Sequence, residues 1–106
     1  MSTPSTAVYS PRGRIDGTNA AAAESDLRAL LSESGPNLVF DLGGIDYLSS
    51  AGLRVVLVAA KTCRAAGGKT VLAGARPAVQ EILRMSGFDR IVESAPTVEQ
   101  ARALLA

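Results

Sequence analysis

The segment Asn37–Leu53, NLVFDLGGIDYLSSAGL, decides how this 106-residue chain folds. It begins with a short apolar run, Leu38-Val39-Phe40-Asp41-Leu42, bounded by Gly43-Gly44. An apolar run without polar alternation, ended by glycines, is the pattern of a central strand covered on both faces. The chain then passes through Ile45-Asp46-Tyr47-Leu48 to two adjacent serines, Ser49 and Ser50. A helix is predicted from about Ser50 to Ala66, closed by Gly67-Gly68.

The flanking sequence repeats this alternation. Residues 1–6 form a small, polar lead-in to a single domain over residues 7–106. Ala7 to Ile15 reads as one extended stretch or two, and Pro11 and Gly13 favour an edge position or a bulge. Asp16-Gly17-Thr18 reads as a turn, with Thr18 or Asn19 as the cap of a helix starting near Ala20. Ala23, Leu27, Leu30 and Leu31 give that helix one apolar stripe, and Gly35-Pro36 ends it. Beyond the central segment, Lys69 to Ala73 is the next strand. Arg76-Pro77 opens a third helix with Val79, Ile82 and Leu83 inward and Gly87 as its stop. Ile91-Val92 is a candidate short strand. Thr97 to Leu105 is a last helix, with Thr97 and Gln100 as a capping box. Helices alternating with short strands indicate an α/β domain with a largely parallel or mixed sheet and right-handed crossovers.

Composition narrows the function. Apolar residues make up 47% of the chain and aromatics 4%, so the core is built from Leu, Val, Ile and Ala. The net charge is +1, and the basic residues are scattered singly from Arg12 to Arg102, which argues against nucleic acid or an anionic membrane as partner. The first six residues do not read as a secretory signal, and the apolar runs are far short of the roughly 20 residues that span a bilayer. One cysteine, Cys63, and no histidine leave no internal disulfide, no zinc cluster and none of the usual nucleophile–base pairs. This pattern fits a reducing cytoplasm. Gly43-Gly44 and Gly67-Gly68 match neither a phosphate-binding loop nor a dinucleotide fingerprint, so no cofactor, metal or catalytic residue is expected. Asp41 and Asp46 are close enough in sequence to meet, but Asp41 is better explained as a satisfied strand end.

The serines are the place to look for function. They follow the carboxyl end of a strand, where sites gather in open α/β sheets, and they begin a helix. A phosphate there meets unpaired backbone N–H groups and the positive end of the helix dipole. The domain would tolerate the dianion, whereas an apolar or acidic partner docked over it would not. A serine at this place is also an ordinary N-cap, contributing about 1 kcal/mol. The two roles are compatible, with Ser49 capping and Ser50 exposed. On the helix that follows, Leu53, Val56, Leu57 and Ala60 share the face expected to meet the core. Ala51, Val55, Val58 and Thr62 lie opposite, and with Arg54 they are the expected partner surface unless another element covers them.

At these residues the sequence resembles the STAS domain family, specifically bacterial anti-sigma factor antagonists. The likeness lies in Leu38 to Leu42 and Ile45 to Leu53, with Gly13-Arg14-Ile15-Asp16 similar to the family's short motif before its first helix. The resemblance implies a four- to five-stranded mixed sheet with about four helices packed mainly on one side. It implies a non-enzymatic, cytoplasmic binding protein. When unphosphorylated, such a protein binds a cognate anti-sigma factor serine kinase and releases a sigma factor. The kinase inactivates it by phosphorylation, and a metal-dependent serine phosphatase restores it. Residue by residue, the phosphorylated serine falls on Ser50, two positions before Gly52, with Ser49 as the alternative acceptor. The expected neighbours of the phosphosite are Asp16, Asp46, Ser49, Ala51 and Gly52. Ser49 stands where the family motif has an aspartate, and Ala51 where it often has serine.

Two other readings compete. A STAS module could serve as a signalling scaffold or a transporter-associated subunit, with the same fold and no phospho-switch. A small enzyme or nucleotide-binding domain is the weakest reading, for want of the residues named above. The even, low-charge surface makes a monomer the default expectation.

Overall fold

The computed structural model describes residues 6–105; the expected lead-in over residues 1–6 lies outside them except for Thr6, which is the first residue of a strand. The chain runs β1 (Thr6–Tyr9), β2 (Gly13–Ile15), α1 (Ala20–Ser34), β3 (Asn37–Asp41), β4 (Ile45–Leu48), α2 (Ser50–Ala65), β5 (Thr70–Ala73) and α3 (Pro77–Met85). A short 3₁₀ turn (Phe88–Arg90), β6 (Glu93–Ala95) and α4 (Val98–Leu105) complete it.

The strands form two sheets. Four of them align in the order β1-β3-β5-β6, and β2 pairs separately with β4. All four pairings run parallel. The α/β class and the four helices are as the sequence implies. The expected mixed sheet is realised as sheets of four and two strands rather than by an antiparallel strand. The interruption at Pro11 and Gly13 divides the first extended region between the two sheets, and a register shift falls between Gly13 and Arg14.

β3 lies inside the larger sheet, and the apolar run explains why. Leu38 and Phe40 point into the principal core, while Val39 joins Val71, Ala73 and Ala101 on the opposite face. All three β3 residues are completely buried. Residues of α1, α2 and α3 fill the principal core, and α4 alone packs on the other face through Ala101. Tyr9 from β1 meets Phe40 edge-on, with ring centroids 5.4 Å apart.

Helix starts follow local chemistry in some places and depart from it in others. Pro77 occupies the first turn of α3. Thr97 Oγ1 accepts from the Gln100 N–H at 3.1 Å, which is half of the expected capping box; the Gln100 amide oxygen meets the Thr97 hydroxyl at 3.2 Å. Asn19 precedes α1 but does not cap it with its side chain. Instead its amide accepts from the Asp16 N–H and donates to the Arg14 carbonyl, tying α1 to β2.

Two sequence expectations need correction. The segment Ile45 to Leu48, read as a connection, is a strand. The short strand expected at Ile91-Val92 lies two residues later, at Glu93–Ala95. Val92 is buried as an inward plug after the 3₁₀ turn, whereas Ile91 is 52% exposed. Pairing of β6 with β5 begins only at Glu93, opposite Val71.

Candidate functional site

The site forms where α2 meets the small β2–β4 sheet. Ile45 and Leu48 bury both ends of β4 while Asp46 and Tyr47 face outward, so the strand arrives at the surface just before the serines. Ile15 is the anchor on β2. It pairs with Leu48, and its carbonyl accepts from the Ser49 N–H at 3.0 Å and lies 3.4 Å from the Ser49 hydroxyl.

The two serines are thereby separated in role. Ser49 is the N-cap of α2: its Oγ accepts from the Gly52 N–H at 3.3 Å, and its carbonyl accepts from Leu53 at 2.9 Å. Its side chain is half-buried between β2 and the helix. Ser50, the first helical residue, is exposed.

Gly52 is required by the same junction. A Cβ placed on it would lie 2.5 Å from the Ile15 carbonyl oxygen and 3.2 Å from the Ile15 Cβ. The helix approaches β2 so closely that only glycine fits. The cap and the close approach set the roles of positions 49 and 52, and position 50 falls exposed between them.

Asp16 follows Ile15 and so stands at the same end of the β2–β4 pair. The Thr18 hydroxyl and N–H, then the Arg14 guanidinium at 2.8 Å, hold its carboxyl below the ordinary carboxylate range. Arg14 also lies 5.4 Å above the ring of Tyr47, which is 44% exposed. Asp46 belongs to a different cluster. Its carboxylate takes Arg76 at 2.8 Å, and Arg76 also donates to the Gly43 carbonyl, which straps the β3–β4 connection to the start of α3. Asp41 is satisfied at the strand end by the Gly43 N–H and the Ser10 hydroxyl, each at 3.0 Å.

The outward face of α2 is rotated from the one expected. Val55 is 1% exposed and packs in the principal core beside Val56, so it cannot meet a partner. α2 lies against the sheet, α1 and the β2–β4 pair together, and so buries a broad arc that takes in adjacent residues. Thr62 lines a cavity of about 420 Å³ between the ends of α1 and α2, along with Leu31, Pro36 and Cys63. Leu57, expected inside, is half-exposed and joins neither hydrophobic cluster among the described residues. Ala51 and Val58 are likewise half-exposed, and Arg54 is exposed. The surface stripe consists of Ser50, Arg54, Leu57, Val58 and Lys61. Cys63 is buried, and burial pushes its thiol pKa up.

Two contributors were not legible in the sequence. Arg76 reaches Asp46 across 30 positions, a contact that no local pattern announces. Leu57 shares helical spacing with Leu53 and buried Val56, so its exposure has no signal in a single apolar stripe.

Among the described residues, no cluster of three or more His, Cys, Asp or Glu could hold a metal ion, and no helix is long and apolar enough to cross a membrane. The arrangement offers an exposed hydroxyl at a helix N-terminus beside a basic and apolar helix face.

Known proteins share this architecture. A family model for the STAS domain matches residues 2–101. A Bordetella bronchiseptica protein named "Putative anti-sigma factor antagonist BtrV" is 41% identical over 92 residues, which cover 87% of this chain and 79% of that protein. The crystal structure of an anti-sigma factor antagonist from Mycobacterium paratuberculosis matches with a TM-score of 0.85 and 26% identity, covering 99% of this chain and 89% of that one. The STAS domain of a SulP transporter from Vibrio cholerae matches with a TM-score of 0.76 and 24% identity, covering 95% of this chain and 80% of that domain's chain.

Proposed function

The chain belongs to the STAS domain family, and from that premise we propose that it is an anti-sigma factor antagonist whose partner binding is switched by phosphorylation of Ser50. It acts by binding rather than by catalysis. Unphosphorylated, it engages an anti-sigma factor serine kinase through the outward face of α2, and a sigma factor is released. Phosphate on Ser50 ends that contact, and a metal-dependent serine phosphatase restores it. The protein works in the cytoplasm, where such partners meet.

The division of labour between the serines carries the reading. Ser49 spends its hydroxyl on the cap and lies against Ile15, while Ser50 stands exposed at the start of the helix. A kinase can reach Ser50 without disturbing the cap. The phosphate then sits where backbone N–H groups and the helix dipole stabilise negative charge, so the fold survives and the partner surface changes.

The likeness to a transporter's STAS domain is one of fold. A transporter-associated or scaffolding module would keep the same architecture and take no phosphate. The relative that is 41% identical carries the name "Putative anti-sigma factor antagonist", which supports the antagonist role over a transporter-associated one.

Binding to the cognate kinase, followed by calorimetry, tests the proposal. Ser50→Asp is expected to weaken binding at least tenfold, and Val58→Glu is expected to weaken it with no loss of thermal stability. Unchanged affinity in Ser50→Asp contradicts the switch. A drop in stability for Val58→Glu that matches its loss of binding would assign Val58 to the core.

A further inference from the structure

The proposed phosphoserine has an arginine one helical turn away. Ser50 and Arg54 are both exposed on α2, and four residues apart they are neighbours on its surface. α2 contains no acidic residue, and Arg54 enters no ion pair among the described residues. The other arginines around the site are committed. Arg14 is held by Asp16 and Tyr47, and Arg76 by Asp46 and the Gly43 carbonyl.

We infer that Arg54 is the intramolecular counter-charge for phosphate on Ser50, so that phosphorylation draws Arg54 back from the partner surface in addition to placing a dianion there. The inference rests on the Ser50 phosphosite. An anion four residues N-terminal to a cation is the favoured order on a helix. A phosphoserine carries nearly two negative charges and three acceptor oxygens, which the arginine fork can take in pairs. Without phosphate, the outward face of α2 presents Arg54, Lys61 and Arg64 around Leu57 and Val58, a basic and apolar surface suited to an acidic partner. With phosphate, the guanidinium folds one turn back toward the helix start. The partner then loses a cation and meets a dianion, and no element of the fold has to move.

The test is a phosphorus NMR titration of the full chain with phosphoserine installed at position 50 during synthesis. Arg54 favours the dianion, so Arg54→Ala is expected to raise the proton affinity of the phosphate roughly twofold, the equivalent of one exposed i,i+4 ion pair. Arg54→Lys is expected to recover most of that change. Arg64→Ala, about 15 Å further along the same helix, is expected to titrate with the wild type. An Arg54→Ala titration superimposable on wild type overturns the inference, as does an equal response from Arg64→Ala. Because the phosphate is installed in synthesis, a kinase that fails to label Ser50 speaks against the phosphosite alone, and a failed titration speaks against the Arg54 pairing alone.

Discussion

The four-stranded sheet and the β2–β4 pair are both parallel and both packed beneath α2, yet they are held by different physics. The larger sheet is a matter of volume. Phe40, Leu38, Val39 and Val71 are completely buried, and what counts is how much apolar surface they remove from water. The smaller sheet is a matter of distance. It has three or four residues per strand; Ile15, Ile45 and Leu48 add to the same core, but its polar hold on α2 runs through one carbonyl, that of Ile15, shared by the Ser49 backbone and hydroxyl. The first region supplies stability. The second fixes the positions of two serines, and a small displacement there would change which of them is exposed.

That contrast can be broken by substitution. Phe40→Ala should cost the most, about 3–5 kcal/mol in denaturant unfolding, because it leaves a cavity against Tyr9 and the core. Gly52→Ala comes next, about 1–3 kcal/mol, although it removes no buried surface at all. Its methyl would have to sit 2.5 Å from a backbone oxygen that cannot swing aside. If Gly52→Ala were as stable as wild type, the close approach of α2 to β2 would not be a constraint and the contrast would fail.

The two serines sharpen it on a smaller scale. Ser49→Ala removes the cap and should cost about 1 kcal/mol. Ser50→Ala should leave stability within about 0.5 kcal/mol of wild type. Thermal melts of the pair decide this, and equal losses would mean that both hydroxyls are structural.

Legibility in the sequence followed the same divide. β3, β5 and the buried faces of α1 and α3 could be read because burial writes itself into apolar runs and helical spacing. Leu38 to Leu42 and Val79 to Leu83 are examples. β4 could not, because only Ile45 and Leu48 of its four residues face inward, and two residues show no period. The phase of α2 is not legible in helical spacing, because Val55 and Val56 are both buried, an arrangement possible only for a helix covered on several sides. Ser49, Ser50 and Gly52 were legible as a motif, but why the spacing matters was not. That reason is the approach of Ile15, which lies 37 positions before Gly52 and is invisible to any local pattern.

The central claim is that the chain caps with Ser49 and signals with Ser50. Incubation of wild type, Ser49→Ala and Ser50→Ala with ATP and the cognate anti-sigma factor kinase, followed by phosphosite mass spectrometry, tests it most directly. Phosphate is expected on Ser50 in the wild type and in Ser49→Ala, and on neither serine in Ser50→Ala. Phosphate on Ser49, or labelling that persists in Ser50→Ala, would contradict the account.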